Sequence, residues 1–508
     1  MSEKKMELTP LKIRSHGASF VMHYDERYTP YIEMTGLLPF VQLVSRSTPN
    51  LNAATVTTLI DHWRPETHSF HLRTGEMTVT LQDVSMITGL PIEGKPLCMS
   101  TDSEGWRHQM EALIGMSPQE PEVEDGGKKD RVPAGATFTW IAANFAHCPE
   151  DADDEVIQRY ARVYMWYVIS RTIFADGTGK NAPWMWLKAL TVLDNKFSWG
   201  SAALAYLYRQ LDDACRRTTK DGGVGGCMLL LSVWSWERLP VGRPKSSKWN
   251  TWDDHDNPVR QPTWAYKWDL VSEVASEVNL LYKQYTNEMD SLTPEQVEWE
   301  PYGVGTNFGD AHTFELNALC VQERHLWLMR CPLICNWAVE WHLPHRVLRQ
   351  FGYFQPHPPE WVDTDTQLHR LDRRRQRKIK DWQKHHKSYV LMFEQSVQAT
   401  SSIQRTQYLS SGARMDDGDI TQRNTQEDDA DTPQAADDMT LKAFQRSAYM
   451  LKPRKEFKCY SPDDYAKGKN PAAGSSRLSK YSSNHIFSSE NVSNFDPGKI
   501  IFFPCVSR

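Results

Sequence analysis

Apolar residues recur every three or four positions along much of the chain, which is the spacing of amphipathic helices. The stretches with this spacing are residues 53–63, 156–168, 204–215, 227–238, 270–281 and 379–393. Asn52 stands where a helix cap belongs. Thr293 precedes a proline and, three positions on, a glutamine, which also predicts a helix start. Residues 315–350 predict two or three further helices.

Apolar and polar residues instead alternate near the start of residues 68–94. Phe70 and Leu72 alternate with polar neighbours, a turn at Gly75 follows, and the alternation then continues. This pattern predicts a β-hairpin.

A short helix is predicted directly after the hairpin. Thr80 and Asp83 have the spacing of a capping box, and Gly89 predicts the helix end. The spacing around Gly89 is also typical of the first helix of a DNA-binding helix-turn-helix. Residues 91–96, with two prolines and a glycine, cannot form the recognition helix that must follow. The sequence therefore favours a structural hairpin-helix element.

These elements predict a mainly α fold (α+β with a minor β-hairpin), built as one large helical domain followed by a disordered C-terminal tail. Tryptophan, with 19 copies, does not occur after Trp382. The remaining chain is rich in Ser, Gln, Asp and Asn and offers few apolar residues to offset chain entropy. We predict a flexible N-terminus (1–19), the helical domain (20–395) with a mobile loop near 117–136, and a disordered acidic, serine-rich tail (396–508). Whether the apolar ending within residues 486–508 is genuine stays open.

The net charge of −6 is unevenly distributed. Residues 416–438 carry nine acidic side chains and one arginine, whereas residues 370–387 carry nine Lys and Arg against two Asp. The N-terminal sequence has no apolar stretch before a cleavage site, and no apolar run is long enough to span a bilayer. We expect an intracellular protein whose nine cysteines are mainly buried free thiols.

Two basic clusters are candidate nuclear import signals, and the first could equally contact nucleic acid or form a solvated helix face. They comprise Arg373, Arg374, Arg375, Arg377 and Lys378, and Lys452, Arg454 and Lys455. They predict a nuclear location.

Motifs that could carry chemistry are incomplete. Cys331, Cys335, His342 and His345 supply zinc-ligand types, but six residues between the second and third are too few for a zinc finger, so core thiols are favoured. The glycines of 222–226 lack the Gly-Lys-Ser/Thr ending of a phosphate loop. No catalytic residue or cofactor is predicted.

Six segments together resemble the plant mobile domain family, also called the aminotransferase-like plant mobile domain. They are LIDHWRPETH (59–68), GEMTVTLQDVSMITGLPIEGKPL (75–97), FSWGSAALAYLYRQL (197–211), GGCMLLLSVWSWERLPVGRP (225–244), LTPEQVEWEPY (292–302) and CPLICNWAVEWHLPHRVLRQFG (331–352). They occur in the family's order and are spread over most of residues 20–395.

The resemblance implies a transposon-derived nuclear factor of plants, linked to transposon silencing, genome integrity and meristem maintenance. Some family members are fused to a serine/threonine phosphatase, but Gly309-Asp310-Ala311-His312 lacks the partner motifs that a binuclear phosphatase needs. A pyridoxal enzyme needs a Schiff-base lysine and a phosphate cradle, and neither is specified here. Expected partners are nuclear proteins or chromatin, including relatives of serine/threonine phosphatases; direct nucleic-acid contact stays open, and no membrane is expected.

The main hypothesis is thus a non-enzymatic nuclear interaction protein. The alternative is a nuclease or transposase-like enzyme that binds metal through the carboxylates Asp194, Asp212, Glu237 and Glu340. A degenerate element product is the third hypothesis. Polar residues at predicted helix ends form a candidate interaction surface, or else buried ion pairs and caps: Glu237, Arg238, Glu340 and His342.

Overall fold

The structure, a computed structural model, covers most of the predicted helical domain. It describes residues 9–13, 22–46, 48–119, 134–176, 179–217, 222–245, 262–268, 271, 275–302, 316–356, 368–369 and 379–410. Several predictions lie outside these residues: both basic clusters, the acidic run, most of the loop near 117–136 and the chain beyond residue 410.

Helices dominate the described chain, which confirms the predicted fold class. They are α1 (Thr29–Thr35), α2 (Leu38–Arg46), α3 (Ala53–Asp61), α4 (Leu81–Thr88), α5 (Trp106–Ile114), α6 (Phe138–Phe145), α7 (Asp154–Val168), α8 (Trp184–Ala189), α9 (Trp199–Cys215), α10 (Met228–Arg238), α11 (Val278–Asp290), α12 (Leu319–Gln322), α13 (Trp382–His385) and α14 (Lys387–Ser410). The side chain of Asn52 caps α3, as the sequence predicts, and that of Asp153 caps α7.

The strands are short and form small sheets. They are β1 (Lys12–Ile13), β2 (Trp63–Arg64), β3 (Ser69–Leu72), β4 (Gly75–Met77), β5 (Gly135–Thr137), β6 (Asn181–Pro183), β7 (Gly223–Val224), β8 (Cys331–Cys335) and β9 (Ala338–His342). β2, β3 and β4 form an antiparallel sheet, β5 pairs with β6 and β8 with β9 antiparallel, and β1 pairs with β7 in parallel. The last residues of the predicted loop, 135 and 136, therefore belong to a strand.

The predicted hairpin-helix element is confirmed. β3 and β4 form the hairpin, and Thr80 and Asp83 form a complete capping box at the start of α4. Gly89 ends α4 with a φ of 65°, and a Cβ there would lie 2.6 Å from Cβ of Pro39, so glycine is required. No helix occurs between residues 90 and 105, in agreement with the absence of a recognition helix.

The core is built around α9 and α10. Every residue of α10 is buried, and α9 buries nearly its whole length. α9 packs against β8, β9, α4 and β2, so the β8–β9 hairpin and the sheet of β2, β3 and β4 contact the same helix. A helix that is covered on most sides can carry polar side chains only where partners are supplied from neighbouring elements.

The helices predicted within residues 315–350 are wrong for Cys331–His342, because this segment forms the β8–β9 hairpin. Asn336, with a φ of 50°, occupies the turn, and asparagine tolerates this left-handed conformation better than most residues. All five residues of β8 are buried. A short apolar run that is buried on both faces has no periodicity to distinguish strand from helix.

Three other helix predictions need correction. The helix predicted from Leu270 begins only at Val278 in the structure. Thr293 does form a capping box, but only a single 3-10 turn, Pro294–Gln296, follows it. The last helix, α14, runs to Ser410 and crosses the boundary that the sequence predicts at residue 395.

No helix among the described residues is long and apolar enough to cross a membrane. The seven described cysteines are free thiols. Six of them are buried, and Cys215 is partly exposed.

Candidate functional site

Three side chains from distant parts of the chain meet beneath the two hairpins. His68 lies in the connection between β2 and β3, where its φ of 49° is left-handed, Asp212 lies on the last turns of α9, and Glu340 lies on β9. Their side chains are 7%, 0% and 1% exposed. We call these three residues, together with the adjacent Arg209 and His369, the His68 cluster.

The facing atoms of the cluster are close. Nε2 of His68 lies 3.1 Å from Oε2 of Glu340 and 3.6 Å from Oδ2 of Asp212. Within the described ranges, these three residues are the only group of His, Cys, Asp or Glu whose ligand atoms could hold a metal, all lying within 4.8 Å of one another.

Each member of the cluster is oriented by a further hydrogen bond. Nδ1 of His68 lies 3.1 Å from the carbonyl oxygen of Trp341 and donates to it. The indole of Trp63 donates to Oδ1 of Asp212 at 2.6 Å, and the guanidinium of Arg209 donates to Oε1 of Glu340. The reactive faces of the three side chains are therefore held toward one another.

Aromatic rings cover the imidazole of His68. The Tyr208 ring stacks on it with centroids 5.1 Å apart, and Trp63 lies on it at 6.2 Å. The hydroxyl of Tyr208 donates to the carbonyl oxygen of Val79 at 2.6 Å, which fixes the ring beneath the β3–β4 hairpin.

His369 closes the remaining side of the cluster and is 12% exposed. Its Nε2 lies 3.2 Å from Oδ2 of Asp212 and 3.3 Å from Oε1 of Glu340. Arg216 lies 3.4 Å from its Nδ1, and because arginine can only donate, this contact places the His369 proton on Nε2. His369 therefore donates to Oε2 of Glu340 at 3.5 Å, whereas its approach to Oδ2 of Asp212 is not a hydrogen bond.

The two buried carboxylates shift the pKa values of their neighbours. Burial opposes a charge on His68, but Asp212 and Glu340 outweigh burial and raise the pKa of His68 to about 10. Burial likewise disfavours the Glu340 carboxylate, but Arg209 and the two histidines hold its pKa well below its usual range. The two carboxylates thus favour a positive charge on the group that lies between them.

Two atoms of the His68 cluster lie close to their neighbours without forming a well-aligned hydrogen bond. Nε2 of His68 and Oδ2 of Asp212 are buried and have no hydrogen bond of acceptable angle, although oppositely charged groups lie 3.1 to 3.6 Å away. The distances alone would allow hydrogen bonds, but the angles do not. We therefore count these contacts as ion pairs only, because a hydrogen bond weakens steeply when it is bent.

A second buried cluster lies at the start of α4 and at the end of α10. Asp83 accepts two hydrogen bonds on Oδ1, from Arg238 at 2.7 Å and Tyr302 at 2.8 Å. Its Oδ2 accepts two more, from the backbone N–H and the hydroxyl of Thr80, each at 2.7 Å. We call Asp83, Arg238, Tyr302 and Thr80 the Asp83 cluster.

Comparison with known proteins identifies the family. A family model described as "Plant mobile domain" matches residues 39–411 of the chain. The chain belongs to the plant mobile domain family. No solved structure matches it.

Named plant mobile domain relatives come from Arabidopsis thaliana. "Serine/threonine-protein phosphatase 7 long form homolog" is 34% identical over 69% of this chain and 25% of that protein. "Protein MAIN-LIKE 1" is 32% identical over 64% of this chain and 58% of that protein, and "Protein MAINTENANCE OF MERISTEMS" is 32% identical over 61% and 59%. The chain thus spans between a quarter and three fifths of the length of these relatives.

Of the four candidate carboxylates, this plant mobile domain brings only Asp212 and Glu340 together. Asp194 is 70% exposed and lies 3.5 Å from Lys196. Glu237 is buried but lies apart from the His68 cluster, where it accepts from Lys267 at 3.2 Å and from the indole of Trp268 at 2.5 Å.

The candidate zinc ligands do not assemble. Cys331 and Cys335 lie at opposite ends of β8, paired with His342 and Ala338 respectively. The imidazole of His342 donates to the carbonyl oxygen of Met329 at 2.7 Å, and His345 lies beyond β9 in a 3-10 turn. Burial raises the pKa of both thiols, which disfavours the thiolate that zinc requires.

The residues of the candidate interaction surface agree instead with the alternative of buried ion pairs. Glu237, Arg238, Glu340 and His342 are all buried, and Glu340 and His342 lie on a strand rather than at a helix end. Charged side chains of this kind are stable inside a protein only when paired, and the structure pairs Arg238 with Asp83 and Glu340 with Arg209.

Sequence reasoning missed His68, Arg209 and His369. His68 is the last residue of one family-like segment and Arg209 lies within another, but neither has a neighbour in sequence with which it forms a recognisable motif. His369 lies outside the segments that resemble the family.

Proposed function

We propose that this plant mobile domain protein is a non-enzymatic nuclear factor of transposon-associated origin. It would act in transposon silencing, genome integrity and meristem maintenance through contacts with proteins or chromatin. The observation that carries the proposal is its family membership together with similarity to relatives named "Protein MAINTENANCE OF MERISTEMS" and "MAIN-LIKE".

The geometry of the two clusters supports a binding scaffold. The side chains of His68, Asp212 and Glu340 are at most 7% exposed, and Arg238 and Asp83 are fully buried. Groups so enclosed contact each other rather than a dissolved substrate. They hold α9, α10 and both hairpins together, and partners would bind exposed surfaces elsewhere on the domain.

Nuclear proteins or chromatin would be the partners, and a protein phosphatase is one further candidate because one relative carries that name. Arg373 to Lys378 and Lys452 to Lys455 would supply nuclear import. The first cluster could also contact nucleic-acid backbone through its positive charge.

Chromatin immunoprecipitation of the tagged full-length protein tests this proposal. One variant carries alanine at Arg373, Arg374, Arg375, Arg377 and Lys378, and a matched variant adds an unrelated import signal to those changes. We expect enrichment at transposon-rich chromatin for the unchanged protein and for the variant with import restored. A cytoplasmic unchanged protein without enrichment would contradict the proposal.

A second candidate function is a metal-dependent nuclease or transposase-like activity. The specific observation is that Asp212 and Glu340 converge with His68, since metal-dependent phosphodiester cleavage requires carboxylates that converge in space. Incubating the purified full chain with single- and double-stranded DNA and Mg²⁺ or Mn²⁺ tests it. Cleavage that disappears in Asp212→Asn but persists in Glu237→Gln would favour the enzyme.

The third hypothesis is a degenerate element product. Deletion of the gene without a change in phenotype would favour it.

A further inference from the structure

The His68 cluster has the arrangement of a metal site. We propose that Nε2 of His68, Oδ2 of Asp212 and one carboxylate oxygen of Glu340 bind a single divalent first-row transition-metal ion, such as Zn²⁺ or Mn²⁺, as a structural clamp. The inference concerns the folded domain and is independent of the proposed nuclear function.

Distances between the ligand atoms fit a shared ion. Bonds to zinc from imidazole nitrogen and carboxylate oxygen are about 2.0 to 2.2 Å long, so two neighbouring ligands of one ion lie roughly 3 to 3.6 Å apart. The separations from Nε2 of His68, 3.1 Å to Glu340 and 3.6 Å to Asp212, fall in this range.

The angles at Nε2 of His68 suit an ion better than a hydrogen bond to either carboxylate, and binding the ion would release the Nε2 proton to solvent. A proton on Nε2 needs an acceptor in line with the N–H bond, and neither carboxylate meets that condition. An ion bound to Nε2 lies along that same direction, and its other ligands must lie to the side of this line. The off-axis positions of Asp212 and Glu340 are the expected ones for ligands that share an ion with the imidazole.

Supporting contacts around the three residues are those that metal ligands require. A metal-binding histidine usually donates its other ring N–H to a carbonyl or carboxylate, and ligating carboxylates are themselves hydrogen-bonded. Here His68 donates to Trp341, Trp63 donates to Asp212, and Arg209 donates to Glu340. These bonds leave Nε2, Oδ2 and Oε2 facing inward.

The ligand set indicates the class of ion. One imidazole with two carboxylates is a borderline to hard donor set that suits Zn²⁺, Mn²⁺ or Fe²⁺ and contains no thiolate. Arg209 balances one carboxylate charge. Protein ligands number three, so water would complete the coordination, and His369 is placed to donate a hydrogen bond on the more exposed side.

A clamp at this place would join three separate elements. His68 precedes the β3–β4 hairpin, Asp212 lies on the core helix α9, and Glu340 lies on the β8–β9 hairpin. Because a preformed site does not exist in the unfolded chain, the binding free energy of the ion would contribute directly to folding.

Metal content of the purified full-length protein tests the proposal. The protein is stripped with a chelator and dialysed against Co²⁺, Zn²⁺ or Mn²⁺, and bound metal is measured by mass spectrometry. We expect about one equivalent in the unchanged protein and at least a tenfold weaker affinity in His68→Gln and Asp212→Asn. Glu237→Gln, which alters a buried carboxylate outside the cluster, should bind as the unchanged protein does.

Two further readouts keep the test decisive if a variant fails to fold. The near-ultraviolet spectrum of the Co²⁺ form should lack thiolate charge-transfer bands. The melting temperature of the unchanged protein should rise on adding metal and fall with chelator. A folded, stripped protein that binds none of the three ions would overturn the proposal. Binding through thiolates, or equal binding by folded Asp212→Asn, would also overturn it.

Discussion

Asp83 and Asp212 are both fully buried carboxylates, yet their surroundings differ. Asp83 accepts four hydrogen bonds, two on each oxygen, so its capacity is filled by the protein itself. Asp212 accepts one good bond, from Trp63 on Oδ1, and its Oδ2 faces His68 and His369 without a well-aligned donor. The protein alone supplies all the hydrogen-bond partners of Asp83, so the Asp83 cluster is a structural contact. Oδ2 of Asp212 lacks such a partner, and the proposed metal ion would supply it.

Removing the positive charge of Arg238 from the Asp83 cluster should produce the largest loss of stability. Arg238→Met leaves the Asp83 charge buried without its ionic partner, and we expect the free energy of unfolding to fall by about 3 to 5 kcal/mol in urea titrations. Adding Asp83→Asn to Arg238→Met removes the stranded charge, so the double variant should be more stable than the sum of the two single effects predicts. Simple additivity would mean that the two residues are not coupled.

Changing each carboxylate to its amide compares the two clusters directly. In metal-free protein, Asp83→Asn removes an oxygen that accepts from Thr80 and the negative charge that faces Arg238. We expect the free energy of unfolding to fall by about 3 kcal/mol. Asp212→Asn loses an oxygen without a good hydrogen bond and should cost about 1 kcal/mol. Chemical denaturation in the presence of a chelator measures both. The reverse order would show that Oδ2 of Asp212 is well bonded after all.

Two buried histidines near these clusters respond to pH in opposite directions. His342, unlike His68, has no carboxylate in contact, and burial lowers its pKa to about 4. Because the unfolded chain then binds the proton more tightly, stability is full above about pH 6.5 and is lost as pH falls toward 4. We expect His342 to contribute roughly 1 to 2 kcal/mol of destabilisation at pH 5.

His342→Gln isolates this contribution, since the amide can still bond within the core but does not titrate. The loss of stability between pH 7 and pH 5, followed by urea titration at each pH, should be smaller in this variant than in the unchanged protein. An equal loss in both proteins would assign the acid sensitivity to other groups.

Deleting one hydroxyl should produce the smallest effect. Tyr302→Phe removes one of the four hydrogen bonds to Asp83 but keeps the ring against Arg238, whose guanidinium carbon lies 5.5 Å from the ring centroid. We expect a loss of about 1 kcal/mol in thermal or chemical unfolding. Tyr31→Phe is the matched control, because Tyr31 contacts Asp154 at an exposed site and should change stability by less.

Local elements could be predicted because their determinants are adjacent in sequence. The capping box of α4, its glycine end and the cap of α3 each depend on residues within a few positions. The β8–β9 hairpin could not be predicted in this way, since its strands are buried on both faces and lack alternation. The family-like segments recovered the family, which the match over residues 39–411 shows.

The candidate site could be predicted only in part. Asp212 and Glu340 were among four carboxylates, but nothing in their sequence neighbourhoods separated them from Asp194 and Glu237. Only the packing of α9 against β9 brings the two together, and only the left-handed turn at His68 directs an imidazole between them. Arg209 contributes because it lies one helical turn before Asp212 and faces the same strand.

The sequence by itself therefore determined the helical class and the hairpin-helix element, because short-range patterns and caps encode them. Its six family-like segments determined the family. The tertiary structure alone decided which buried charges pair and which acids converge on His68. Those choices depend on contacts between residues more than a hundred positions apart. No local pattern carries that information, since a buried charge selects its partner by packing and desolvation.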